Sequence, residues 1–126
     1  MSAELILLVE DNEANQLLAS SVLELSGYSV EVAGDAIEAR EILGRHSPDL
    51  ILMDIQLPGL DGLSFVKQLK AEPATAHIPV IALTALAMAG DRERSLAAGC
   101  NGYISKPIDT RTFASEVRKY LPVQQG

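Results

Sequence analysis

Glu10 and Asp11, Asp54, Thr84 and Lys106 are the residues whose types and spacing can do chemistry together. They amount to three carboxylates, one hydroxyl and one ammonium, each standing at the end of a short apolar run. Two unit charges about 4 Å apart repel by about 4 kcal/mol at an effective dielectric near 20. Three ionised carboxylates therefore cannot share one cleft with only Lys106 to offset them. Either a carboxyl pKa rises, or a cation sits among them. Oxygen ligands in an open site favour a hard divalent ion, Mg²⁺ before Zn²⁺. No histidine joins the set: His46 and His77 fall shortly before Pro48 and Pro79, in loops leading into strands. Hydrolysis by a serine or cysteine would want a base such as His beside the nucleophile, and none is available. A carboxylate with an ordinary pKa of about 3.9 is already ionised at neutral pH. Its attack on a phosphoryl group requires mainly positioning and charge neutralisation. The inventory fits formation of an aspartyl phosphate, with Mg²⁺, Lys106 and Thr84 around the phosphoryl oxygens.

The elements that must position these groups read clearly. Apolar runs occur at 5–9, 30–33, 50–53, 80–83 and 103–105. The first, third and fourth lack polar alternation, as strands buried on both faces of a parallel sheet do. Helical spacing lies between them. The first helix, about 13–26, places Leu17, Leu18, Ser21, Val22 and Leu25 on one stripe, with Asn12 as its cap and Gly27 at its end. The second opens on the capping-box pair Asp35 and Glu38, carries Ile37, Ile42 and Leu43, and stops before Pro48. The third runs from about 62 to 71 with Phe65, Val66 and Leu69 inward, and Asp61 can cap it. The fourth spans roughly 87–98 up to Gly99, and the fifth about 110–121. Five β-α repeats imply an α/β fold, a doubly wound parallel sheet with helices on both faces. Every strand then delivers its C-terminal end to one edge, where ligand chemistry belongs. The second strand delivers only Gly34 and Asp35, which suits the sheet's margin.

Composition bounds the function. The chain has 126 residues, 48% hydrophobic and 21% charged, which is one domain with a real core. Its formal charge is −7, with no basic run, which argues against nucleic acid and anionic membrane. No apolar stretch approaches the roughly 20 residues of a membrane span, and the first residues do not read as a signal peptide. A cytoplasmic protein is expected. Cys100 is the single cysteine and is expected to pack quietly near the Gly99–Gly102 turn.

The segments Leu8-Val9-Glu10-Asp11-Asn12, Asp54-Ile55-Gln56-Leu57-Pro58-Gly59-Leu60-Asp61-Gly62, Ala82-Leu83-Thr84-Ala85 and Lys106-Pro107 together make the chain resemble a response-regulator receiver domain of two-component signalling. The match covers about 5–121. The segments 76–80 and 103–108 resemble single-domain regulators and receivers attached to hybrid histidine kinases. The resemblance implies a flavodoxin-like (βα)5 fold, five strands in the order 2-1-3-4-5, with the receiver over 4–121 and a tail at 122–126. It implies that Asp54 is the phosphoacceptor and that Mg²⁺ is held by Asp11, Asp54, the carbonyl of Gln56 and, through water, Glu10. Lys106 would pair with the phosphoryl group. Thr84 would turn inward to hydrogen-bond it, helped by the amide of Ala85, and Tyr103 would move with Thr84 as the switch aromatic. The Lys106–Pro107 bond is expected to be cis. Glu10 stands where the family more often has Asp, a longer arm that tunes metal affinity. Leu86 offers no polar group to orient water, so no fast built-in hydrolysis is expected. Pro58, Gly59 and Gly62 suit a sharp turn that starts a helix close to the acceptor, with Gly permitting positive φ.

The partner implied upstream is a histidine kinase or phosphotransfer protein. Downstream, a protein target is expected on the fourth helix, fifth strand and fifth helix, where Leu86, Ala87, Met88 and Ala89 form an apolar stretch beside Thr84. The chain is expected to be a monomer or weak dimer. Three alternatives compete. A haloacid-dehalogenase-type phosphatase would need a second Asp two residues past the first, where Gln56 stands. A flavodoxin-like cofactor binder would need a phosphate loop where Glu10-Asp11-Asn12 stand. A docking module that is never phosphorylated would not need the acidic set.

Overall fold

The computed structural model describes residues 4–56, 61–84 and 89–121, the side chains of 89–92 excepted. Leu57, Pro58, Gly59, Ala85, Leu86, Ala87, Met88, the side chain of Ala89 and the tail 122–126 lie outside the described residues.

Five strands, β1 (Leu5–Val9), β2 (Ser29–Ala33), β3 (Leu50–Asp54), β4 (Val80–Thr84) and β5 (Gly102–Ser105), alternate with five helices. The helices are α1 (Glu13–Leu25), α2 (Ala36–Leu43), α3 (Gly62–Ala71), α4 (Ala89–Ala98) and α5 (Phe113–Tyr120). The strands form one parallel sheet in the order β2-β1-β3-β4-β5. Alternate side chains of each central strand point to opposite faces. Leu7, Val9, Ile51, Met53, Val80 and Ala82 pack with Ala39, Phe65, Val66, Leu69 and Ala98, so α2, α3 and α4 cover one face. Ile6, Leu8, Leu50, Leu52, Ile81 and Leu83 pack with Ala19, Leu23, Phe113 and Val117, so α1 and α5 cover the other. β2 is the half-exposed margin, as Gly34 and Asp35 suggested.

The helix entries follow from local chemistry. Asn12 caps α1 by accepting the Asn15 N–H at 3.0 Å. Asp35 accepts the Glu38 N–H at 2.8 Å, and Glu38 reaches back to the Gly34 N–H at 2.6 Å. Asp61 caps α3 through the Leu63 N–H. Gly27 and Gly99, just past α1 and α4, take positive φ, which L side chains disfavour.

Three expectations need correction. The face α1 buries is Ala19 and Leu23 with Val22 half-buried, whereas Leu17 is 69% and Leu25 89% exposed. Ala19 lets the helix lie close on the sheet, and the larger leucines are turned outward. Ile37 is likewise 72% exposed, because α2 seats Ala36, Ala39 and Ile42 instead. α5 begins at Phe113 rather than near Thr110. The Asp109 carboxylate holds the Arg111 N–H at 2.9 Å, a local turn that competes with helix.

Candidate functional site

Register brings the chemistry together. Val9 lies opposite Met53, so Glu10, one residue on, comes level with Asp54. Asp54 and Thr84 are themselves the last paired residues of β3 and β4, opposite Leu83 and Ser105. The Thr84 carbonyl accepts the Lys106 N–H at 2.8 Å, which fixes where the Lys106 side chain begins. The Lys106–Pro107 bond is cis, as expected.

From these positions Lys106 Nζ reaches back under the edge. It donates to Asp54 Oδ2 at 3.0 Å and stands 2.8 Å from Glu10 Oε1. The Glu10 contact is ionic but poorly aligned, and Oε1 is the one buried side-chain polar atom among the described residues that accepts no hydrogen bond. Glu10 Oε2 accepts the Asn12 N–H at 3.1 Å, and Asp54 Oδ1 accepts the Gln56 N–H at 2.9 Å. Glu10 is 1% and Asp54 3% exposed, while Asp11 is open to solvent. Oxygens of Glu10, Asp11 and Asp54 lie within 4.8 Å of one another.

The electrostatics follow from burial. Desolvation pushes the Glu10 carboxyl above its ordinary value; Lys106 and the Asn12 N–H pull it down, Asp54 pushes it up again, and the result is a raised pKa. For Lys106, burial works against the ammonium, but the contacts with Glu10 and Asp54 outweigh it, and its pKa is also raised. One ammonium therefore serves two buried carboxylates and leaves a buried acceptor oxygen with a third carboxylate beside it. That donor set, oxygen only and in excess of its cation, fits a hard divalent ion.

The structure thus gathers Glu10, Asp11, Asp54 and Lys106 into one cluster, with the Gln56 amide on Asp54 and Thr84 buried at the same edge. Tyr103 is half-buried on β5 against the α2–α3–α4 face. Gly62 corrects an expectation: its φ is not positive. A Cβ there would collide with the Asp54 carbonyl and come within 2.6 Å of Ile55 Cα, so Gly62 is required by close approach. The histidines lie away from this edge; His46 Nε2 is 3.6 Å from Glu31 Oε1, and His77 is exposed. Cys100 is buried, and desolvation pushes its thiol up to about 11. Sequence reasoning missed two groups that hold Glu10, the Asn12 N–H and the Gln16 side chain. Neither has a sequence signal: one is a backbone donor, the other an ordinary helical glutamine.

Comparison with known proteins places this geometry. Residues 6–118 match the family described as response regulator receiver domain. The polar-differentiation response regulator DivK of Brucella anthropi is 47% identical over 116 residues, spanning 92% of this chain and 94% of the relative. The receiver domain of a sensor histidine kinase from Pseudomonas aeruginosa, solved with a magnesium ion coordinated in its active-site cleft, superposes with a TM-score of 0.85. It is 39% identical, over 94% of this chain and 98% of that one. The Vibrio cholerae chemotaxis response regulator CheY4 gives 0.89 at 26% identity, over 95% and 100% of the two chains.

Proposed function

The chain belongs to the response regulator receiver domain family, and from that we propose that it is a phosphorelay switch whose acceptor is Asp54. A carboxylate oxygen of Asp54 attacks phosphorus, the P–N bond of a phosphohistidine donor breaks, and its electron pair returns to the imidazole. The donor is a histidine kinase or a phosphotransfer protein. The supporting observation is Asp54 itself: a carboxylate all but sealed from solvent, oriented by the Gln56 N–H and by Lys106, beside a surplus of acidic oxygen. Glu10, Asp11, Asp54 and the Gln56 carbonyl would hold Mg²⁺. When bound, that ion supplies positive charge against the phosphoryl oxygens and the carboxylates. Lys106 already neutralises Asp54 and is placed to follow the charge as it moves onto the transferred group.

The conformational response proposed is inward movement of Thr84 followed by Tyr103, altering the surface of α4, β5 and α5 toward a protein target. Phosphorylation shifts that equilibrium only by its differential interaction with the two states. Among the described residues the large exposed apolar side chains are Leu17, Leu18 and Leu25 on α1, Val32 on β2, Ile37 on α2 and Leu96 on α4. Leu17 lies on the second turn of α1, just past Asp11. Docking of the donor is assigned to this exposed apolar stripe of α1, which follows the acidic end of β1, and reading of the switch to α4, β5 and α5. The receiver occupies 4–121, acts in the cytoplasm as a monomer or weak dimer, and catalyses only its own phosphorylation and dephosphorylation. No described helix is long and apolar enough to cross a membrane.

The test is incubation with acetyl phosphate and Mg²⁺, read by phosphate-affinity electrophoresis. Wild type is retarded and Asp54→Asn is not. Equal retardation of the two refutes the acceptor assignment.

A further inference from the structure

The carbonyl of Glu10 has left the sheet. The Glu10 N–H still donates to the Ala33 carbonyl at 2.9 Å, one rung past β1. Its own carbonyl accepts instead from Gln16 Nε2 at 2.6 Å. Gln16 is fixed at both ends of its residue, donating its N–H to the Asn12 carbonyl at 2.9 Å and accepting Ser20 Oγ at 2.7 Å. A single peptide plane joins Glu10 to Asp11, and its tilt sets the angle between two carboxylates that leave consecutive Cα atoms. Ala33 holds one side of Glu10, and Gln16 holds the plane that follows.

We infer that Gln16 is a positioning residue for the cation site: its side-chain amide pins the Glu10–Asp11 peptide and thereby aims the two carboxylates at a common point. The inference rests on the cation reading given above. It supplies a physical link that the acidic residues alone lack. Gln16 also lines an open cleft with Leu17, Ser20 and Val32, so the contact runs from the outer face of α1 to the carboxylates. Groups that orient metal ligands without touching the metal commonly change affinity 10- to 100-fold.

The test uses the full chain labelled with ¹⁵N and titrated with Mg²⁺, following amide shifts, for wild type, Gln16→Met, Gln16→Asn and Asp11→Asn. Gln16→Met keeps length but loses the donor. Gln16→Asn keeps the amide but is one methylene too short. Both are expected to weaken Mg²⁺ binding roughly 10-fold and to move the Asp11 amide resonance in metal-free protein, with the rest of the spectrum native. Wild-type affinity in both, while Asp11→Asn binds weakly, overturns the inference. So does weakened binding with an unmoved Asp11 amide, since the loss would then not pass through that peptide. If Asp11→Asn binds Mg²⁺ like wild type, it is the cation reading that falls, and this inference with it. Should Gln16→Met not fold, Gln16→Asn alone decides by the same two readouts.

Discussion

Replacing Lys106 by Met removes a cation that faces two buried carboxylates, at 2.8 Å from Glu10 and 3.0 Å from Asp54. At an effective dielectric near 20, each contact is worth about 5–6 kcal/mol of gross attraction. The variant does not lose that sum, because Glu10 has an escape: it takes up a proton. Its ordinary pKa is 4.5. Holding such a group protonated at pH 7 costs about 3.4 kcal/mol, at 1.36 kcal/mol for each pH unit. This sets the ceiling on the loss through that route. The pH dependence follows from the direction of the shift. The folded pKa of Glu10 is already raised, and loss of the ammonium raises it further. A carboxyl with a raised folded pKa favours the native state while protonated and disfavours it as pH climbs from the unfolded value toward the folded one. The part of the stability gap between wild type and Lys106→Met that passes through Glu10 is therefore smallest at about pH 4.5 and widens by up to about 1.4 kcal/mol per unit toward pH 7, on top of the loss at Asp54. Comparing the two proteins cancels the groups that Lys106 does not touch. The chain has no tryptophan, so urea unfolding is followed by far-ultraviolet circular dichroism. A gap that stays constant with pH would refute the claim that Lys106 holds the Glu10 carboxyl pKa down against its burial.

Other expectations are as direct. Gly62→Ala drives a Cβ into the Asp54–Ile55 backbone and is expected to lose about 1–3 kcal/mol. Gly44→Ala, whose Cβ would sit 3.5 Å from the Glu41 carbonyl at φ −72°, gains about 0.4–1 kcal/mol by stiffening the unfolded chain; urea midpoints in the reverse order would sink the close-approach argument. Asp35→Ala deprives α2 of its cap at Glu38 and costs about 1 kcal/mol in the same assay. Cys100 titrates at about 11 in the native protein instead of 9.0. Because its folded pKa is raised, its contribution is intact below about pH 9 and lost on the way to about pH 11, by about 2–3 kcal/mol at most. Cys100→Ala should lack that alkaline loss, and an identical alkaline profile would show that the thiol is not buried as described.

The site was more legible than the surfaces around it. Apolar runs without alternation marked the central strands, and polar residues at their ends marked the reactive edge, because a parallel sheet delivers every C-terminus to one side. The register that brings Glu10 level with Asp54 adds only distance to that reading. Strand order came from the family resemblance, since periodicity does not say which strands are neighbours. The helix faces were less legible. Leu17, Leu18 and Leu25 form as good a stripe as Ala19 and Leu23, and only tertiary packing decides which one meets the sheet. Gly62 showed its composition but not its reason, because close approach of two backbones leaves no local mark. Gln16 was invisible for a similar cause: its partner is a carbonyl six residues back, an acceptor every residue carries.

The most direct test asks where the phosphoryl group goes. After reaction with acetyl phosphate and Mg²⁺, borohydride reduction converts an acyl phosphate into a stable alcohol that peptide mass mapping can locate. Reduction at Asp54 and nowhere else is the expected result. Reduction at Glu10 or Asp11 instead, or no reducible product at all, would contradict the acceptor role.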